Sequence, residues 1–344
     1  MIVETQAYAR VGLMGNPSDI FFGKTIAAAI QNFQANVRLW ESPGIELRRH
    51  PIHDSTQFES IAQLEERARI EGYYGGMRLV FATCKKFREF CDRRGVSLHA
   101  RNFTIEYDTN IPRQVGLGGS SAIITAVIRA LMLFYEIRAG DHFPKPELPN
   151  LTLSVETEEL DITAGLQDRV VQAYGGTVFM DFDEALMLEY GYGDYSRIDG
   201  RTLPPLFLAY RSASGESGKV HNNVRFRYEA GDREVIDAMK RFAQFAVEAR
   251  HALKEGDMDT LGSLMNENFD LRRKIFGDKA MDPRDIEMVE LARSLGCPAK
   301  FSGSRAAVVG FCLDELIMRR LARAYQEKGF SFEPIRVEMR NADE

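Results

Sequence analysis

The chain has 344 residues, 44% of them hydrophobic, and a formal net charge of -6. That length suits two domains or one large one, and the acidic balance argues against a surface built for nucleic acid. Four cysteines without CxxC spacing argue against zinc, and no apolar run reaches the roughly 18 residues of a membrane span. The expected setting is reduced and cytoplasmic, with small molecules rather than nucleic acid or membrane as partners.

Residues 8–14 read as a short strand, followed by the turn Gly15-Asn16-Pro17-Ser18-Asp19. Polar residues this close to a strand end often face a ligand. The plainer alternative is an Asn-Pro turn closed by an Asx bond. Gly23-Lys24-Thr25 resembles the end of a P-loop, but Ser18 stands where that motif needs its first glycine. Residues 33–39 and 45–49 alternate apolar and polar, which predicts two paired strands around Ser42-Pro43-Gly44. Residues 56–70 have helical spacing, and residues 77–94 predict a long amphipathic helix. On that helix Phe81, Phe87 and Phe90 are assigned to core, and Lys85, Lys86 and Arg88 to a solvated face.

The stretch Pro112-Arg113-Gln114-Val115-Gly116-Leu117-Gly118-Gly119-Ser120-Ser121-Ala122 lies between a predicted strand at 103–107 and a long apolar helical run at 121–137. A helix start offers unpaired N–H groups and the positive end of the helix dipole, which suit phosphate. Glycine lets the backbone approach the phosphates and take up positive φ. Ser120 and Ser121 supply hydroxyls that can cap the helix or ligate a metal.

After a spacer rich in Pro and charge, residues 151–160 are expected to be helical. A second helix ends at Gly175-Gly176, followed by strands at 177–182 and 206–210. Leu203-Pro204-Pro205 punctuates the chain, which places a domain boundary near residue 200 and gives domains 1–200 and 201–344. Beyond it the spacing predicts helices at 220–228, 232–254, 258–276, 283–295 and 313–328. A tight turn separates 299–304 from 307–312, and a strand at 330–337 closes the chain. Strands and helices are mixed rather than strictly alternating, so the class is α+β.

Read on residue chemistry alone, the chain carries acids downstream of a phosphate loop. Phosphoryl transfer to a hydroxyl needs a metal on the phosphates, positive charge on the γ-phosphoryl, and a group to orient or deprotonate the acceptor. Glu156 and Ser121 are candidate Mg²⁺ ligands through hard oxygens. Asp168 is the candidate proton acceptor and Arg10 the candidate for stabilising transferred charge. The alternatives are a surface helix position for Glu156 and a helix N-cap for Asp168.

The string from Pro112 to Ala122 resembles the central motif of the GHMP kinases, the family of galactokinase and the homoserine, mevalonate and phosphomevalonate kinases. The segment 9–23 resembles the family's first motif, Glu156 with residues 165–169 and Gly175-Gly176 its metal glutamate and catalytic aspartate block, and 299–309 its third motif. The third motif departs from the family, with Arg305-Ala306-Ala307 where further glycines are usual. The resemblance implies a two-domain GHMP kinase fold. Its N-terminal ATP-binding domain would be ribosomal-protein-S5-like, and its C-terminal domain ferredoxin-like and helix-rich. It implies ATP and Mg²⁺ as cofactors, with Pro112, Gly116, Leu117, Gly118, Gly119, Ser120, Ser121, Ala122 and Ser304 at the nucleotide.

Four further strings narrow the resemblance: 12–19, 110–114, 217–221 and 268–273. They imply a kinase acting on the anomeric hydroxyl of a uronic acid, with another sugar kinase or a non-catalytic member of the fold as alternatives. A carboxylate on the sugar calls for basic residues in fork geometry. Arg113, Arg169, Lys219, Arg272 and Arg273 are the candidates, with Asp19 and Asn16 on the sugar.

Overall fold

The computed structural model describes residues 1–54, 56–71, 75–211, 218–304 and 306–339. In chain order the elements are β1 (Ile2–Met14), β2 (Lys24–Ser42), β3 (Glu46–Leu47), α1 (Ile61–Glu71), α2 (Gly76–Arg93) and β4 (Asn102–Thr109). Helices α3 (Gly119–Phe134), α4 (Glu147–Ser154) and α5 (Leu166–Tyr174) follow, and a π-turn, Val155–Glu159, continues α4. Next come β5 (Thr177–Asp181), α6 (Glu184–Tyr190), β6 (Asp194–Ile198) and β7 (Leu206–Tyr210). The chain then runs through α7 (Gly218–Glu229), α8 (Arg233–Glu255), α9 (Met258–Phe276) and α10 (Pro283–Ser294). It ends with β8 (Ala299–Phe301), β9 (Ala307–Phe311), α11 (Glu315–Glu327) and β10 (Ser331–Pro334). The architecture is α+β, as the mixed pattern predicts.

Two compact units emerge. The first comprises Met1–Ala9, Phe33–Ile111 and Gly118–Ala173. There residues 35–42 of β2 pair antiparallel with β4, and β3 lies parallel to β4. Helix α3 buries twelve of its sixteen residues, as a helix apolar on all sides must. Helix α2 packs against it, with Phe87 and Phe90 inside.

The second unit comprises Arg10–Asn32, Pro112–Leu117 and Tyr174–Glu344. Residues 24–28 of β2 pair with β5, which pairs with β6. A separate antiparallel sheet has the order β10-β7-β9-β8. Phe207, Phe269, Phe301 and Tyr325 form its core with α9, α10 and α11, and the Tyr325 hydroxyl donates to the Met288 carbonyl at 2.7 Å. Asp232, Asp257, Asp282 and Asp314 cap α8, α9, α10 and α11 with their carboxylates. Each such cap is worth about 1 kcal/mol.

Several local expectations are corrected. Residues 45–49 do not form a hairpin with β2, because β3 pairs with β4 instead. Phe81 is 65% exposed, and Lys86, expected in solvent, is buried with its ammonium on Glu158. Helix α1 starts at Ile61, later than the spacing suggests, and α6 and β6 were not anticipated. The Gly118 N-cap of α3 has no side-chain capping bond, so neither serine caps that helix. Among the described residues no helix is long and apolar enough to cross a membrane.

Candidate active site

The loop after β4 ends where Gly118 opens α3. Gly116 (φ 68°) and Gly118 (φ 72°) are both in the left-handed region, where a side chain would be strained. The sequence glycines thus serve a backbone shape. Residues Pro112–Leu117 fall in the second unit and Gly118 onward in the first.

In the second unit, buried Arg10 is fastened to this loop. Its Nη1 donates to the Gly116 carbonyl at 2.6 Å, and its backbone N–H donates to the Leu117 carbonyl at 3.1 Å. Gly303 of the β8–β9 turn comes against the same place. A Cβ at 303 would lie 2.6 Å from the Gly116 oxygen and 3.3 Å from Arg10 Nη1. The first turn is joined as well, since the Gly12 N–H donates to the Ser302 carbonyl at 3.1 Å.

Helix α9 braces both turns. Asn268 Oδ1 accepts from the Gly15 N–H at 2.9 Å, and its Nδ2 donates to the Asn16 carbonyl at 3.2 Å. Arg272, one turn further on, donates to the carbonyls of Gly303 at 2.9 Å and Ser304 at 3.1 Å. Burial lowers the Arg272 pKa to about 10, against the favourable charges of Asp19 and Asp285. Lys300 is also fully enclosed. It donates to the Gly12 carbonyl at 3.0 Å, Asn16 Oδ1 at 2.5 Å and the Phe301 carbonyl at 2.8 Å. Burial, then the nearby Arg272 and Arg10 guanidiniums, push its pKa well below the ordinary lysine value.

In the first unit, Glu156 is 1% exposed on the π-turn. Ser120 Oγ donates to its Oε1 at 2.7 Å. Arg169 Nε donates to its Oε2 at 2.8 Å, and Nη2 reaches the same oxygen. Arg169 Nη1 also donates to the Gly165 carbonyl at 2.9 Å and stands 3.5 Å from Asp168 Oδ2. Asp168 is the third residue of α5 and half-buried. Gln172 Nε2, from the same helix, donates to the Gly118 carbonyl at 2.8 Å.

The sequence candidates therefore fall into distinct settings. Glu156 is an interior carboxylate and not a surface position. The hydroxyl that reaches it belongs to Ser120. Ser121, one residue along α3, points into the core and donates to the Gly118 carbonyl at 3.0 Å. Arg169 and Arg272 face partners inside their own units. Arg273 pairs with Asp278 and Glu290 at the surface. Asn16 contacts Lys300, while Asp19 and Arg113 are half-buried at their turns. Lys219 belongs to α7, with its side chain outside the described residues, as is Arg305. Lys300 and Gln172 were not legible in the sequence as site residues, and Asn268 only as part of the run 268–273. The one available signal was a lysine and an amide in runs otherwise set for burial.

The chain resembles known proteins over nearly its whole length. The model of the GHMP kinases N terminal domain matches residues 78–176, and that of the GHMP kinases C terminal region matches residues 249–330. The sequence is 46% identical to glucuronokinase 1 of Arabidopsis thaliana over 97% of this chain and 92% of that protein. It is likewise 46% identical to the probable glucuronokinase 2 of the same plant, over 98% of this chain and 92% of the relative. The crystal structure of Lactococcus lactis galactokinase complexed with galactose superposes with a TM-score of 0.75 at 15% identity, covering 98% of this chain and 94% of that one. The chain belongs to the GHMP kinase family of ATP-dependent phosphotransferases.

Proposed function

We propose that this kinase transfers the γ-phosphoryl group of ATP to the anomeric (C1) hydroxyl of D-glucuronate, giving D-glucuronate 1-phosphate and ADP. The observation that carries the reading is 46% identity to a glucuronokinase over 97% of the chain. The matched family segments fall on either side of residue 200, which supports a nucleotide-binding domain at 1–200 and a second domain at 201–344.

In this reading Asp168 orients the anomeric hydroxyl and accepts its proton. The hydroxyl oxygen bonds to the γ-phosphorus as the bond to the β-phosphate oxygen breaks, and ADP leaves. Arg10 contributes positive charge beside the loop carbonyls it holds. Residues 116–119 shape the backbone for phosphate, with Pro112, Leu117 and Ala122 as its frame and Ser304 in the second Gly-rich turn. Asp19 and Asn16 serve sugar hydroxyls, and Arg113, half-exposed in the loop, reads the uronate carboxylate.

The acidic and hydroxyl oxygens fit Mg²⁺, a hard cation that takes oxygen ligands. Glu156 and Ser120 would hold it, and Arg169 fixes the orientation of the carboxylate. Magnesium held there would supply charge neutralisation for the phosphoryl transfer. The 2.7 Å bond from Ser120 Oγ to Glu156 supports Ser120 as the hydroxyl of this site.

The product distinguishes this reaction from phosphorylation elsewhere on the sugar. A phosphate on C1 removes the reducing end, whereas one on any other carbon leaves it free. ³¹P–¹H coupling to the anomeric proton, together with loss of reducing-sugar reactivity, is the expected result. A product that keeps its reducing end overturns the C1 assignment.

A further inference from the structure

The π-turn that carries Glu156 is held by more than Ser120 and Arg169. Its two following acids, Glu158 and Glu159, turn to helix α2 in the same unit. Lys85 Nζ donates to both Glu159 carboxylate oxygens, at 2.8 and 2.7 Å. Lys86 Nζ donates to Glu158 Oε2 at 2.8 Å and also meets Glu89 at 3.3 Å. Lysines on an amphipathic helix ordinarily send their ammonium groups into water. The Lys86 side chain is instead only 7% exposed, although Glu158 is 62% exposed. The ammonium is drawn to the acid, and that hydrogen bond raises the Lys86 pKa.

A π-turn is rare, and as a single turn inside a helix it often marks a functional site. Here α4 leads into the wider winding at Val155, and the Ile162 N–H donates to the Glu156 carbonyl at 2.7 Å to close it. Glu156 is thus gripped on one side by Ser120 and Arg169, while Glu158 and Glu159 are gripped on another by α2. Were the turn to rewind as regular α-helix, the registers of all three acids would shift together. Contacts from three elements oppose that: the Ser120 hydroxyl on α3, the Arg169 guanidinium on α5, and the Lys85 and Lys86 ammonium groups on α2.

We propose that Lys86, supported by Lys85, is a positioning residue that holds the π-turn so that Glu156 is presented for a divalent cation. The inference rests on Glu156 as a metal ligand, and the two ideas separate experimentally. Residues that orient a metal ligand typically alter affinity by about 10–100-fold when changed. The probe is Mn²⁺ binding to the full-length protein with ADP, followed by electron paramagnetic resonance.

Lys86→Met and the exposed-side change Glu158→Gln are each expected to weaken Mn²⁺ binding by about tenfold. Lys86→Arg is expected to restore it to near the parent value, which a loss of mere packing would not predict. Glu156→Gln serves as the reference for the metal ligand itself. Unchanged Mn²⁺ affinity in Glu156→Gln overturns the metal reading and the inference with it. Weakened binding in Glu156→Gln but parent-like affinity in Glu158→Gln overturns the positioning role alone. Glu158→Gln decides the matter even where Lys86→Met does not fold, because its side chain is the exposed partner.

Discussion

Asn268 and Arg272 stand four residues apart on α9 and hold two different turns. One bonds the backbone of Gly15 and Asn16, the other the carbonyls of Gly303 and Ser304. A single helix face therefore sets the spacing of the first and third sequence motifs. Neither side chain faces solvent.

Asn268→Ala would leave the Gly15 N–H and the Asn16 carbonyl without their partner in a buried place. Such a loss costs about 1–3 kcal/mol. A fall of a few degrees in melting temperature is expected, with lower sugar affinity from a loosened first turn. Thermal unfolding and the sugar KM check this. A parent-like melting temperature would show that water replaces the amide without cost.

Lys300 provides a prediction about pH. Its folded pKa lies well below the ordinary lysine value, through burial and the charges of Arg272 and Arg10. Between the folded and unfolded values the unfolded state binds more protons, so stability rises with pH across that window. Below the folded pKa the full penalty is present. Urea unfolding should show a positive slope from this group as pH rises toward the ordinary lysine value of about 10.4. Lys300→Met should lose that component. An identical slope in both proteins would contradict the assignment.

Ala306 is buried with φ at 63°, a left-handed conformation that disfavours any Cβ. The penalty is roughly 1–2 kcal/mol, partly offset by the greater unfolded-state freedom of glycine. Ala306→Gly should therefore raise stability by roughly 0.5–1 kcal/mol. It also restores a glycine to the third motif. A destabilised variant would mean that the Ala306 methyl is needed by its packing.

Asp168→Asn keeps the size of the side chain and replaces its charge. Loss of a general base typically lowers turnover by about 10²–10⁴-fold, and the acidic anomeric hydroxyl favours the lower part of that range. Turnover should fall far more than sugar affinity, at a near-parent melting temperature. A stable variant with parent-like turnover would remove Asp168 from the chemistry.

The sequence made some parts of this picture plain and concealed others. Gly116 and Gly118 announce a turn because positive φ is a local demand, and α9 is bounded by an Asp cap and a glycine. Glu156 and Asp168 were visible as acids downstream of the loop. That the Ser120 hydroxyl, and not that of Ser121, meets Glu156 was not visible, since it depends on which side of α3 faces the π-turn. The burial of Lys86 was concealed for the same reason: its partner lies 72 residues away. β3 pairing with β4 is likewise non-local, and a π-turn has the composition of any helical turn. The arginines were legible as a group, but the internal partners of Arg169 and Arg272, Glu156 and the carbonyls of Gly303 and Ser304, were not.

Steady-state ADP release with D-glucuronate, D-galacturonate, D-galactose and a heptose 7-phosphate tests the central claim most directly. The account predicts that kcat/KM for D-glucuronate exceeds each of the others, and that Arg113→Met erodes this preference for the uronic acid while leaving the ATP KM near its parent value. A higher kcat/KM for a sugar without a carboxylate, or no ADP release with any of them, would contradict it.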